Sequence, residues 1–369
     1  MRKTITIAAS AVPEVRLRDL HKFNNASQSI LVDPGAEVYD FLSDHITLEH
    51  ERTMVLMTKT SFNIHSLSDN YFENIVNLGR VNDISHINSF LEVVNRKLPL
   101  GGHFVCCAET KNERKNRILK KYPAGIAHLY YGFDFVLKRL FPKLPLTRKL
   151  YMKITGGRNR VISKTEVLGR LYSCGFTLVD EKSIKGKSYF IVKKTSLPCY
   201  DKNASYGMIL KMRRFGKDNK IIGVYKFRTM HPYSEYLQQF IYDRNKLQEG
   251  GKFKDDFRIS TMGKFMRKYW LDEIPMLYNL LKGDIKLVGV RPLSAQYLSL
   301  YDSEFRETRQ QFKPGLIPPF YADLPKTLKE IIDSERRYLE QYQKAPIRTD
   351  IKYLVKSCSH ILFKKARSY

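Results

Sequence analysis

The sequence predicts an α/β protein of two domains, and three observations predict it. The chain has 369 residues, too many for one ordinary core and enough for two. Between positions 71 and 108, a strand pattern, an amphipathic helical pattern and a second strand pattern follow one another, which is βαβ grammar. Beyond a turn-forming Ser196-Leu197-Pro198 linker, an alternating hairpin gives way to two successive helical periodicities. The expected domains are residues 1–195 and 200–369.

Residues 1 to about 60 give mixed signals, with strand-like TITIA and MVLMT separated by polar turns such as Asp33-Pro34-Gly35. From 71 the pattern sharpens. ENIVNL reads as a strand, INSFLEVVNRKL as a helix with Ile87, Phe90, Leu91 and Val94 on one face, and GGHFVCCA as a strand after a Gly-Gly turn. Thr165 to Leu171 is expected to be helical and to stop at Gly175, and FTLVDEKSI and KSYFIVKKT to close the sheet. Between these parts, residues 122–160 form a basic aromatic insertion rich in Tyr, Phe, Leu, Lys and Arg. Two readings of it stand side by side. One is a helical insertion packed on its own domain; the other is a surface whose aromatic and aliphatic groups enter a lipid headgroup boundary while its cations meet anionic lipid.

Lys and Arg number 64 against 37 acids, a net charge of +27. Such an excess asks for an anionic partner: nucleic acid, acidic lipid or a phosphorylated metabolite. A nucleic-acid partner is not expected, because zinc-finger spacing, RNP-like aromatic segments and basic heptads are all missing. The five cysteines (Cys106, Cys107, Cys174, Cys199, Cys358) show no metal-ligand spacing and suit a reducing compartment. No run of about 18 apolar residues exists, so a full membrane span is not expected. The basic N-terminus carries too short and too mixed an apolar run for a signal peptide, and a cytoplasmic location is expected.

In the second domain, Leu210 to Met230 reads as a hairpin turning at Asp218-Asn219-Lys220. Ile221, Gly223, Tyr225 and Phe227 fall on one face of its second strand, and Ile222, Val224, Lys226 and Arg228 on the other. Two cations on one face suit phosphate, although a solvated strand face is the commoner origin of such a pair. Met262, Phe265, Met266, Tyr269 and Trp270 recur at helical spacing, so a helix over 263–270 is expected to present Arg267 and Lys268 near its end. A second helix is expected from Glu273 to Lys282, with Ile274, Leu277, Tyr278 and Leu281 as its apolar face, Pro275 in its first turn and Gly283 as its stop. Asp272 then falls at or beside the N-cap. A cap worth about 1 kcal/mol explains that aspartate adequately, but not why Glu273 follows at once beside several cations. Two adjacent carboxylates repel unless a cation intervenes, and a divalent ion carried by a diphosphate is the economical partner.

KFRTM at 226–230, DDFRISTMGKFMRK at 255–268, LDEIP at 271–275 and KGDIKLVGVRP at 282–292 together resemble the bacterial sugar transferase family, the monotopic polyprenyl-phosphate sugar-1-phosphate transferases. The resemblance covers roughly the last 170 residues and implies a mainly helical α/β phosphoglycosyl transferase domain. It implies Asp272 as nucleophile, Glu273 as the carboxylate that assists with metal, Arg267 on phosphate, Arg291 on the nucleotide diphosphate and Asp350 as a further substrate-binding residue. Lys226 or Arg228 would hold remaining oxygens. The implied partners are a UDP-sugar and a polyprenyl phosphate at the cytoplasmic face of the inner membrane, with a Mg2+ cofactor shared by Asp272 and Glu273 and a homodimer as an admissible assembly; an anionic membrane surface is expected instead from the aromatics and cations of residues 130–148. Val290 replaces the first proline of the family's PRP, Met276 stands where glutamine is usual, and LIPPFYADLPKTLKEI replaces the tract that ends in NGRN. The apolar helix that normally precedes the catalytic domain is missing as a run.

Residues 60–195 resemble, more weakly, the C-terminal half of class I methyltransferase domains. Pro34-Gly35-Ala36 is no substitute for a GxGxG loop, so a degenerate Rossmann-like domain is expected and S-adenosylmethionine is not. Two rivals follow: a methyltransferase with a membrane module, and a non-catalytic scaffold that binds lipid-linked sugars.

Overall fold

The computed structural model describes residues 26–200, 206–245 and 256–363; the TITIA segment lies outside them. The chain divides into two compact units, residues 1–139 with 151–200, and residues 140–150 with 201–369.

The first unit is built on a five-stranded mixed sheet of order β1-β2-β3-β5-β4, comprising β1 (Thr53–Leu56), β2 (Asn74–Arg80), β3 (His103–Ala108), β4 (Phe176–Ile184) and β5 (Lys187–Lys194). β1, β2 and β3 pair in parallel, whereas β5 lies antiparallel to both β3 and β4. A parallel strand covered on both faces needs a continuous apolar run, and β2 and β3 are buried almost throughout. The helix Ile87–Lys97 joins them and buries the expected Ile87, Phe90, Leu91 and Val94. The helix Lys164–Ser173 starts under the Ser163 side chain, which accepts from the Glu166 N–H. Gly175 ends it at φ +82°, where a Cβ would lie 2.2 Å from the Ser196 carbonyl oxygen. The mixed signals before position 60 resolve as two helices, Ala26–Val32 and Ala36–Ser43, followed by β1. Pro34-Gly35 therefore turns one helix into the next rather than a strand into a phosphate-cradling helix.

In the second unit, β6 (Ile209–Phe215) and β7 (Ile221–Phe227) form the expected antiparallel hairpin, turning through Asp218 and Asn219 at positive φ. β8 (Lys286–Val288) and β9 (Gly315–Ile317) pair in parallel. Their close approach needs glycine, since a Cβ on Gly315 would sit 2.1 Å from the Gly289 nitrogen. Val288, Val290, Leu293, Phe305, Tyr338 and Tyr353 form the larger apolar core of this unit; Ile222, Val224, Met276 and Ile285 form a smaller one under the hairpin.

Two helices differ from expectation. The first, Thr261–Lys268, stops before Trp270, which adopts left-handed φ/ψ. The second begins at Met276, not Glu273, and a separate 3-10 turn, Leu271–Glu273, precedes it. The expected apolar faces also look outward. Met262, Phe265 and Tyr269 are exposed on the first helix, and Ile274, Leu277, Tyr278 and Leu281 are exposed around the second. Met276 and Asn279 are the side chains buried from the second helix. The physical reason is Asn279, which donates to the Gly223 carbonyl at 2.7 Å, accepts from the Tyr225 N–H at 3.0 Å and fixes that face against β7.

Candidate active site

The second unit holds a cleft of about 1140 Å³ whose walls come from β6, β7, the turn Leu271–Glu273, the Arg291–Tyr301 stretch and the segment 315–326. Of the residues singled out in the sequence, Asp272, Glu273, Arg267, Arg291, Lys226 and Arg228 all line it. Asp350 does not. Its carboxylate accepts from Lys286 at 2.9 Å and from the Tyr338 hydroxyl at 2.7 Å, in a cluster beside β8.

Lys226 reaches the cleft because of strand alternation. Ile222 and Val224 are buried on the same face of β7, so that face points inward rather than to bulk water. Lys226 Nζ lies 2.5 Å from Glu273 Oε1. The hairpin's other strand adds Leu210, Met212 and Arg214 at period 2 to the same wall. The TM and STMG motifs meet directly. Ser260 caps the Thr261–Lys268 helix by accepting from Gly263 N–H at 2.9 Å, and both its N–H and its hydroxyl donate to the Thr229 carbonyl. A Cβ on Gly263 would fall 1.9 Å from that carbonyl oxygen, so only glycine allows the approach. The consequence lies one turn on, where Arg267 Nε donates to Thr229 Oγ1 at 3.0 Å and its guanidinium lines the cleft.

Asp272 sits in the 3-10 turn and caps no helix. It is 6% exposed, and its Oδ1 is buried without a hydrogen-bond partner. Burial raises its carboxyl above the ordinary aspartate range; Lys226 pulls the other way and Glu273 adds to the rise. Trp270, at φ +61°, turns the chain out of the helix into this 3-10 turn and packs on Tyr321 with ring centroids 4.1 Å apart. A bulky residue held in that region costs about 1–3 kcal/mol and persists only when its surroundings fix it.

Three features escaped the sequence reading. Arg214 lines the cleft, and burial, with Arg291 nearby, lowers its guanidinium from the ordinary arginine range. Arg309 donates to Glu335 at 2.7 Å and to the Arg291 carbonyl, so a buried ion pair sets the backbone that carries Arg291. Phe320 and Tyr321 bring the LIPPFYADLP segment to the wall. The alternation of Leu210, Met212 and Arg214 was a readable signal; the pairing of Arg309 with Glu335 had none.

Asp272 and Glu273 stand side by side in the cleft wall, and no cluster of three or more His, Cys, Asp or Glu able to hold a metal occurs among the described residues. With one unpartnered carboxylate oxygen, the pair fits magnesium when diphosphate oxygens complete the coordination, which is the usual arrangement for that ion.

Residues 198–364 match the family described as Bacterial sugar transferase. The galactosyl transferase CpsE of Streptococcus agalactiae is 40% identical over 110 residues, covering 29% of this chain and 24% of that protein. The undecaprenyl-phosphate galactose phosphotransferase of Salmonella typhimurium is 40% identical over 109 residues, covering 28% and 23%. The UDP-N-acetylgalactosamine-undecaprenyl-phosphate N-acetylgalactosaminephosphotransferase of Aeromonas hydrophila is 36% identical over 107 residues, covering 28% and 22%. The matches span about a quarter of the length of these relatives. A SAM-dependent methyltransferase structure from Methanosarcina mazei overlaps 36% of this chain and 65% of its own at 18% identity, with a TM-score of 0.25, too low to carry an argument. The motifs gathered on this one cleft all lie within the stretch, residues 198–364, that matches the bacterial sugar transferase family.

Proposed function

We propose that the second unit transfers a sugar 1-phosphate from a UDP-sugar to a polyprenyl phosphate through Asp272. The observation that carries this reading is the buried, unpartnered Asp272 Oδ1 in a cleft lined by Lys226, Arg267, Arg291 and Arg214. A carboxylate oxygen kept from hydrogen bonding and surrounded by cations suits attack on a phosphoryl centre. The Asp272 oxygen forms a bond to the β-phosphorus, and the bond from that phosphorus to the bridging oxygen breaks. UMP leaves with the electron pair. The lipid phosphate oxygen then attacks the same phosphorus, and the Asp272 carboxylate departs with its electrons restored. Arg267 and Arg291 hold phosphate oxygens, and Arg228 braces the wall by donating to the Gly207 carbonyl. Asp350 acts outside the cleft, holding Lys286 and Tyr338. Magnesium, held by Asp272 and Glu273 with the diphosphate, would neutralise charge on the leaving group.

In this reading the reaction takes place at the cytoplasmic face of the membrane. No helix among the described residues is long and apolar enough to cross a membrane. The exposed apolar faces of Thr261–Lys268 and Met276–Leu281 support work at a lipid surface. For the first unit we read a degenerate Rossmann-like scaffold that takes no S-adenosylmethionine, supported by its parallel β1-β2-β3 run and antiparallel β5-β4 hairpin. The test is UMP release across a panel of UDP-sugars, with intact-protein mass measured after donor is added without lipid acceptor. A sugar-phosphate adduct on Asp272 is expected. No UMP from any donor, or an adduct on another residue, would overturn the reading.

A further inference from the structure

A surface helix in water ordinarily turns charge outward and apolar groups inward. The helix Ile126–Phe135 in the first unit does the reverse. Asp134 is 8% exposed and accepts from Arg114 on both carboxylate oxygens at 2.7 Å. Arg139, just beyond, is buried and donates to Glu166 at 2.8 Å. Facing out are Ile126, Leu129, Tyr130 and Phe133, one complete i, i+3, i+4, i+7 stripe, with Leu129 79% and Phe133 63% exposed. Ile154, on the helix Pro145–Thr155, is 73% exposed.

The charge around the stripe points to its partner. Residues 111–139, all in the first unit, contain eight Lys and Arg but two acids, Glu113 and Asp134. Both acids are engaged within the unit: Asp134 as above, and Glu113 accepting from Ser183 and Ser188 at 2.6 Å each. The helix Lys111–Lys121, which packs against Ile126–Phe135, leaves Lys115, Arg117, Lys120 and Lys121 exposed. We propose that this face docks the first unit on an anionic lipid surface, with Leu129 and Phe133 in the acyl boundary and Lys120 and Lys121 at the headgroups. Nucleic acid would use the cations and leave an aliphatic stripe in water. A second copy of the chain would bring the same positive excess against itself. Anionic lipid satisfies both halves of the surface. The inference does not rest on the transferase reading.

Co-sedimentation of the full chain with vesicles of phosphatidylcholine alone, or with one part in four phosphatidylglycerol, tests it. The full chain is expected to sediment with the anionic vesicles and to be released by salt. Leu129→Glu combined with Phe133→Glu should lower the partition coefficient about tenfold or more, because each is an apolar group moved back to water. Lys120→Glu with Lys121→Glu should lower it several-fold at low salt and little at high salt. All four side chains are exposed, so melting temperatures should hold; UMP release in detergent should also hold, which separates this surface from the cleft. Sedimentation of the Leu129/Phe133 variant equal to the unaltered chain overturns the proposal. So does failure of the unaltered chain to bind anionic vesicles, or a concentration-dependent dimer that the same variant abolishes without any vesicle binding.

Discussion

Asp272→Asn separates a nucleophile from a structural aspartate. The substitution keeps shape and volume and removes the negative charge. In the folded chain Asp272 is 6% exposed, Oδ1 has no partner, and burial holds the carboxyl above its ordinary range. A folded-state pKa above the unfolded one means the native state binds the proton more tightly. Stability therefore falls as pH rises from the ordinary aspartate range through the folded pKa, and that loss is complete above it. Asparagine removes this loss. At neutral pH the variant should be more stable by about 1 kcal/mol, the scale of relieving one destabilised active-site group, or a rise of roughly 2–4 °C in melting temperature. The difference should shrink as pH falls through the raised folded pKa and vanish below the ordinary aspartate range. UMP release should meanwhile drop by about three or more orders of magnitude. Thermal melts across pH, paired with UMP-release rates, check both. Near-normal turnover, or a variant destabilised equally at every pH, would refute the reasoning.

Other expected outcomes follow from the walls of the cleft. Arg214→Gln should lower kcat/KM for the donor by about 10- to 100-fold, the scale of one lost hydrogen bond to a charged group, without lowering the melting temperature; unchanged donor kinetics would remove Arg214 from the site. Gly263→Ala forces a Cβ to within 1.9 Å of the Thr229 carbonyl oxygen, so stability should fall by about 1–3 kcal/mol and kcat with it, because Arg267 moves; an unaltered melt would show that the helix accommodates the methyl. Excess chelator should abolish UMP release, and Glu273→Gln should raise the magnesium concentration needed for half-maximal rate while lowering stability by about 1–3 kcal/mol through the weakened bond from Lys226. Full turnover in chelator would remove the metal from the scheme.

The sheet of the first unit was largely legible, because β2, β3 and β5 are short apolar runs and a glycine turn precedes β3 and β5, and both are local signals. The helices before position 60 were not, since Ala26–Val32 and Ala36–Ser43 are too short to show a period. Periodicity found the two helices of the second unit but misplaced their faces. An apolar stripe reports that one side of a helix is distinct, not whether protein or another apolar phase lies against it. The deciding residue was Asn279, a polar group at a buried position, which hydropathy reads backwards. The family resemblance named Asp272, Glu273, Arg267 and Arg291, which all line the cleft, and Asp350, which does not because Lys286 and Tyr338 hold its carboxylate elsewhere. Arg309 and Glu335 meet through the fold across 26 positions, beyond the reach of any local pattern.

The 3-10 turn matters more than the expected helix start would have. At an N-cap, the Asp272 oxygen would accept a backbone N–H, and that bond would lower its energy before any substrate arrived. Four residues upstream of the Met276–Leu281 helix, held by the left-handed Trp270, its Oδ1 has no such partner. The cost is spread over Trp270's strained backbone and the buried charge, and it is sustained by contacts elsewhere: Asn279 on β7, Gly263 on Thr229, and Tyr321 under the Trp270 ring. Under the proposed mechanism, that unpartnered oxygen is the one that gains most from meeting an electrophilic phosphorus or a cation.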